Sequence, residues 1–253
     1  MKMKIRTKIK AARLILFALV LSVFGFSGVS FAGQIDFNSW AAVGAGYTWT
    51  VSDDAWTGSD VKVESVPSGP EGLFINGSAS TNYILTGKMG VEHSSDDDMI
   101  GLVFGYQDAS HYYALDWKQK DQYWSSAQAY EGFTLFRIDG STVDSWNHPT
   151  DSNDILFTQY SSTEGWADNT EYGFTLTYTP TSISIVIGDG TNTLFSHTET
   201  GSFADGQYGA YNFSQAKTRY SDFQVSSVPI PGALWLLGSG LFGLMAVRKR
   251  KKA

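Results

Sequence analysis

The sequence predicts an all-β protein built as two antiparallel sheets packed face to face. Three observations carry this. Apolar residues alternate with polar or small ones in roughly a dozen short runs, the period-two mark of strands with one buried face. Between residues 33 and 227 no helical period outlasts a turn or two. Aromatic residues make up 15% of the chain, enough to fill the space between two sheets.

Met1 to Ala32 reads as an export signal. Lys2, Lys4, Arg6, Lys8, Lys10 and Arg13 form a basic start, Leu14 to Phe26 an apolar run, and Ser30-Phe31-Ala32 a small-x-small cleavage site. The apolar run is short for a membrane span and ends in small residues, which favours cleavage over a retained anchor.

The strands follow in order. Tyr47–Val51 and Val61–Val66 are short runs split by turn residues, and Leu73–Ser78 and Tyr83–Glu92 come next, with Asn76-Gly77 offering a hairpin turn between them. Ile100, Leu102, Phe104 and Tyr106 alternate through a strand. Gln107 to Ser110 turn the chain into a second, Tyr112 to Trp117, which makes a β-hairpin. Phe133–Ile138 runs into an Asp139-Gly140 turn, and Ser141 to Asp154, holding Trp146, His148 and Pro149, reads as a long exposed loop. Ile155–Tyr160, Tyr172–Tyr178, Ile183–Ile187, Leu194–His197, Tyr208–Phe213 and Arg219–Val225 complete the domain.

Three adjacent carboxylates, Asp96, Asp97 and Asp98, open the central hairpin. They repel one another unless something positive sits among them, and calcium, a hard cation served by loop oxygens, is the natural candidate. A charged turn before a strand is the alternative. The same stretch resembles the C-terminal lectin-like globe of thrombospondins and cartilage oligomeric matrix protein. The matching segments are Asp96–Asp98, Gly101–Gln107, Trp117–Gln119 and Tyr123–Trp124, then Gly165-Trp166 with Asp168, Gly206–Gln215 and Tyr220–Phe223. The resemblance runs with gaps from about Gln34 to Val225. It implies a two-sheet, jelly-roll, lectin-like sandwich and calcium at Asp96, Asp97 and Asp98, with Asp108 and Asp168 as further ligands. It also implies that Trp124 and Trp166 serve packing. The calcium-rich repeats that precede that globe in the family are missing, and no EF-hand loop is present.

Val228 to Ala253 reads as a second targeting segment: Val228-Pro229-Ile230-Pro231, an apolar run from Gly232 to Val247, then Arg248 to Lys252. The prolines stop the preceding strand, the run is long enough to span most of a bilayer as a helix, and the basic cluster stays on the cytoplasmic side. This end resembles PEP-CTERM sorting signals in a VPxP form, with Val228, Pro229 and Pro231 as the motif and Ile230 where that family places Glu. The resemblance implies an exosortase-type processing enzyme as partner, transient passage through the inner membrane, and a Gram-negative surface or exterior as destination. An ordinary membrane anchor is the alternative. The expected organisation is a signal peptide at 1–32, a sandwich at 33–227 and a sorting segment with a transmembrane helix at 228–253.

Composition narrows the function. The two ends hold eleven of the 18 Lys and Arg, leaving seven in the stretch that holds all 25 Asp and Glu, a net of −18 there. So acidic a body repels nucleic acid. The chain has no cysteine, which excludes disulfides and thiolate metal sites. Its four histidines, His93, His111, His148 and His197, are dispersed, with no zinc spacing. A glycosidase needs two carboxylates about 5–10 Å apart beside a sugar cleft. Glu131 with Asp116 or Asp121 is the only pair worth naming, and nothing singles it out. Trp146 is the aromatic best placed to stack on a sugar ring, with a role as loop anchor the alternative, and Trp166, Trp124 and Tyr123 stand behind it. The expectation is therefore a non-enzymatic, exported, calcium-binding adhesion module associated with extracellular polysaccharide in a biofilm. A carbohydrate-binding module is the alternative, and a divergent glycosidase a third.

Overall fold

A computed structural model describes residues 33–44, 47–52, 60–63, 71–92, 95–124, 127–140, 146 and 154–229. Ala32–Val228 form one compact unit. The expected signal peptide, Pro231 and the C-terminal apolar run lie outside the described residues, among which no helix is long and apolar enough to cross a membrane.

The predicted two-sheet architecture is what the chain adopts. One sheet orders β15 (Thr193–Thr200), β14 (Ser182–Gly188), β13 (Thr170–Tyr178), β6 (Tyr83–Val91), β17 (Thr218–Ser227), β4 (Asp60–Val63) and β3 (Trp49–Ser52), with β1 (Gly33–Gln34) on β17. The other orders β12 (Ile155–Tyr160), β11 (Gly132–Asp139), β8 (His111–Lys118), β7 (Met99–Asp108), β16 (Gln207–Phe213), β5 (Glu71–Ile75) and β2 (Ala41–Val43). A separate hairpin joins β9 (Gln122–Trp124) and β10 (Ala127–Ala129). Every strand pair is antiparallel.

The main core lies between the sheets, where alternation places it. Ile183, Ile185 and Ile187 of β14 and Phe174, Leu176 and Tyr178 of β13 meet Ile100, Leu102 and Phe104 of β7 and Leu115 and Trp117 of β8. A second cluster forms on the other face of the seven-stranded sheet, from Met99, Val103, Tyr112, Ala114, Phe136, Ile138, Tyr211 and Trp146. That sheet is buried on both faces. Hence β7, read as having one apolar face, is buried from Met99 through Tyr106.

Two local expectations are corrected. Asn76-Gly77 does not turn a hairpin: β5 pairs with β16 and β2, while β6 belongs to the opposite sheet, so the segment crosses between sheets. Asn76 is buried there because its amide serves backbone groups at that crossing, donating to the Ser78 carbonyl at 2.8 Å and accepting from the Tyr208 N–H at 2.8 Å. The segment before β12 also supplies buried anchors rather than an exposed loop throughout. Trp146 is 8% exposed, and Asp154 accepts from Arg137 Nη2 at 2.8 Å.

One half-buried acid, with a buried carboxylate oxygen, lies at the edge of the second cluster. Glu71 Oε1 accepts from the Tyr112 hydroxyl at 2.5 Å, while Oε2 is buried without a hydrogen-bond partner. Burial raises its carboxyl above the usual range. A raised folded-state value means that Glu71 stabilises the fold below the ordinary carboxylate range, and that this contribution is lost as pH rises through the raised value. Glu71→Gln keeps the acceptor and removes the charge. It is expected to gain roughly 1 kcal/mol near neutrality and to flatten the stability profile above about pH 4. Chemical denaturation across pH 4–8 checks this.

Candidate functional site

The three aspartates lie immediately before β7, and the positive charge they require is a side chain of this protein. Lys118 ends β8 directly opposite Met99 and is 1% exposed. Its ammonium lies 2.9 Å from the Asp97 carbonyl, 3.2 Å from Asp98 Oδ1 and 2.9 Å from Gln122 Oε1. Its three N–H donors thus each have an oxygen. The ammonium also stands 4.8 Å from the centre of the Trp146 ring, a cation–π distance.

Other segments hold the triad from outside. Gln215 Oε1 accepts from the Asp98 N–H at 2.8 Å, and the Trp166 indole donates to the Asp98 carbonyl at 3.1 Å. Asp96 Oδ2 accepts from the Ala216 N–H at 3.2 Å. Burial first, then the charge of Asp98, push the Asp96 carboxyl up to about 6.

This arrangement does not fit a calcium ion on Asp98. Calcium binds oxygen at about 2.4 Å, so an ion on Asp98 Oδ1 would lie within about 5.6 Å of the ammonium, given the 3.2 Å contact. At an effective dielectric of 20 that repulsion is about 6 kcal/mol. Among the described residues no three carboxylate or imidazole side chains converge as a metal-binding group. Asp108 cannot join the triad. It ends β7, nine residues from Met99 and thus about 30 Å away at the usual strand rise. There it accepts from the Ser110 N–H at 2.7 Å and lies 2.8 Å from His111 Nδ1. Asp168 bridges to Val91 at the triad's end of the molecule.

The aromatic residues exchange their expected roles. Trp146 is buried, with its ring against Lys118 and Phe213 and its indole donating to Ala127 O at 3.4 Å. That placement corrects the reading of Trp146 as a loop aromatic open to a sugar. Trp166 is core. Trp124, expected to pack, is 65% exposed, beside Tyr123 at 68%, Tyr130 at 50% and Tyr160 at 38%. The register pairs Tyr123 with Gln128, two residues before Tyr130, so Tyr123 and Tyr130 share a face. Tyr130 and Tyr160 rings lie 5.2 Å apart, and the Tyr160 hydroxyl is fixed 2.8 Å from Thr134 Oγ1. Trp124, the next residue of β9, is exposed on the opposite face of the hairpin. In the sequence Tyr123 and Trp124 run straight into Ser125-Ser126, and that polar neighbourhood was the available signal.

The strip continues into a depression. Glu131 accepts from the Gly165 N–H at 3.1 Å, and its own N–H donates to Asp121 Oδ1 at 2.7 Å. A cavity of about 260 Å³ opens beyond, lined by Trp117, Thr163, Glu164, Tyr172, Asp189 and Leu194. Local backbone amides and the Asn192 side chain hold the Asp189 carboxyl below the usual range. Apolar ring walls with carboxylate acceptors on the rim can hold a molecule rich in hydroxyls. Of the carboxylates paired with Glu131 in the glycosidase reading, Asp121 meets its backbone N–H and Asp116 is buried at 1% exposure.

Two antiparallel sheets, a core between them and a polar, ring-lined edge define a lectin-like β-sandwich domain. Residues 47–228 match the thrombospondin C-terminal region family, and the chain belongs to it. It is 27% identical to thrombospondin-2 of Gallus gallus over 182 residues, covering 64% of this chain and 15% of that protein. It is 30% identical to the cartilage oligomeric matrix protein of Rattus norvegicus over 131 residues, covering 47% and 17%. The chain thus spans a small part of these relatives. Among solved structures, the VIP36 exoplasmic/lumenal domain in its Ca2+/Man3GlcNAc-bound form matches with TM-score 0.54, 10% identity, and coverage of 77% of this chain and 86% of that one. The carbohydrate-binding module CBM66 from Bacillus subtilis matches with TM-score 0.50, 12% identity, and coverage of 75% and 96%. At such identities these likenesses establish the shared fold.

Proposed function

We propose that this protein is an exported, non-catalytic adhesion domain that holds extracellular polysaccharide along the strip formed by Tyr123, Tyr130 and Tyr160, with Trp124 exposed on the other face of the same hairpin. The observation that carries this reading is the exposure of four large rings, Tyr123, Trp124, Tyr130 and Tyr160, where the other aromatics among the described residues are buried or half-buried. Exposed rings beside a polar depression present flat apolar faces with hydroxyl-binding groups around them. The sugar-bound VIP36 form and the naming of CBM66 as a carbohydrate-binding module agree with this use of the fold. The calcium half of the expectation has the Ca2+-bound VIP36 forms in its favour and Lys118 against it at Asp98.

Delivery to the surface by an exosortase-type enzyme, and a place in a biofilm, rest on the N-terminal signal and on Val228, Pro229 and Pro231. The Val228 N–H donates to Asn82 O at 3.0 Å, which ties the end of β17 to the domain just before the prolines.

The test is retention on a panel of insoluble and soluble polysaccharides. Replacing Tyr123 and Trp124 together with alanine is expected to weaken binding at least about tenfold, the effect of losing one anchoring aromatic. The melting temperature should stay put, because both rings are exposed. Unchanged retention in the double variant, or no retention of the parent by any polysaccharide, overturns the proposal.

A further inference from the structure

We propose that Lys118 is the resident cation of the acidic edge, closing Asp97 and Asp98 as a bound metal would, so that this edge is built to stand without calcium. The argument does not depend on the sugar-binding reading.

Four observations converge. The ammonium is buried at 1% exposure, an arrangement that persists only where its charge is met. It is met in full, by Asp98 Oδ1, the Asp97 carbonyl and Gln122 Oε1, with the Asp97 carboxylate also 3.7 Å away. Strand register fixes the position. Lys118 pairs with Met99 on one side and Gly132 on the other, so its Cα cannot drift from the triad. Finally, the contact joins three separate segments: the aspartate loop, β9 through Gln122, and Trp146 over the ammonium. A loop cation does this in metal-dependent modules, and here a tethered side chain does it. Because the charge is covalently attached, a chelator cannot remove it.

The two readings of the edge separate by experiment. Thermal unfolding of the purified full-length chain in mild detergent is followed in millimolar calcium and in excess chelator. The proposal expects midpoints within about a degree of each other for the parent. It expects a fall of several degrees in both conditions for Lys118→Met, which keeps the bulk and removes the charge. A parent midpoint that rises with calcium, with the rise lost in Asp98→Asn, would place a metal at the edge and overturn the proposal. So would a Lys118→Met chain that melts like the parent. A calcium rise that Asp98→Asn retains but the Asp97→Asn, Asp98→Asn double variant loses overturns the proposal as well; one that the double variant retains places the ion away from these two carboxylates and upholds the assignment of Lys118. Should Lys118→Met fail to fold, calcium titration by calorimetry of the parent against Asp98→Asn decides. Identical heats uphold the proposal, and a binding event confined to the parent sinks it.

Discussion

Trp117→Ala is expected to lower stability by about 3–5 kcal/mol, the cost of deleting a large ring from a core that collapses only partly around the gap. The site explains why the figure belongs at the upper end. Trp117 is 1% exposed, its ring stacks on Phe133 at 4.5 Å, and Tyr172 meets it edge-on at 4.5 Å. Its indole N–H donates to the Glu164 carbonyl, which would be left without that donor. The two sheets meet through this ring, since Phe133 and Tyr172 belong to opposite ones. The same indole lines the 260 Å³ cavity, so the variant also removes one of its ring walls. Denaturant unfolding measures the first effect, and a loss below 1 kcal/mol would show that the ring is not the hinge of the core.

Gly101→Ala is expected to cost about 3 kcal/mol or more, although it adds one methyl group. A Cβ on Gly101 would lie 1.9 Å from the Leu115 carbonyl oxygen, 2.9 Å from its carbon and 3.0 Å from Asp116 Cα. All three are backbone atoms of β8, so no side chain can yield. The strands themselves must part, in the middle of the sheet, which places the change at the top of the range for overpacking. Gly140 gives the contrast. It has φ +73° but open space around it, so alanine there pays only for its backbone conformation, about 1 kcal/mol. Melting temperatures of the two variants should differ by several degrees.

Most of the sandwich was legible residue by residue. Ile183, Ile185 and Ile187 face the core because strand side chains alternate, and no tertiary fact was needed to say so. The central hairpin followed from two aromatic runs about a polar turn. The Asn76-Gly77 hairpin failed because turn chemistry states only that the chain bends there. Which sheet receives the next strand depends on partners more than a hundred residues away, such as Tyr208, whose N–H Asn76 accepts. Trp146 failed for a related reason. Polar neighbours make a segment look exposed, yet one indole within it can be drawn under by a cation and an open sheet face.

The candidate site shows where that line runs. By itself the sequence determined that the body between the two basic ends is all-β, strongly acidic, free of cysteine chemistry and of one family. It also pointed to a positive partner for Asp96, Asp97 and Asp98, because adjacent like charges repel, with a plain charged turn as the alternative. Only the tertiary structure decided what that positive charge is. Lys118 lies 20 residues from Asp98 along the chain, and the β7–β8 register brings its ammonium to 3.2 Å. Exposure was decided in the same way. Trp124, Trp146 and Trp166 are one residue type, and a ring is free or buried according to what packs on it, which is a property of the assembled sheets.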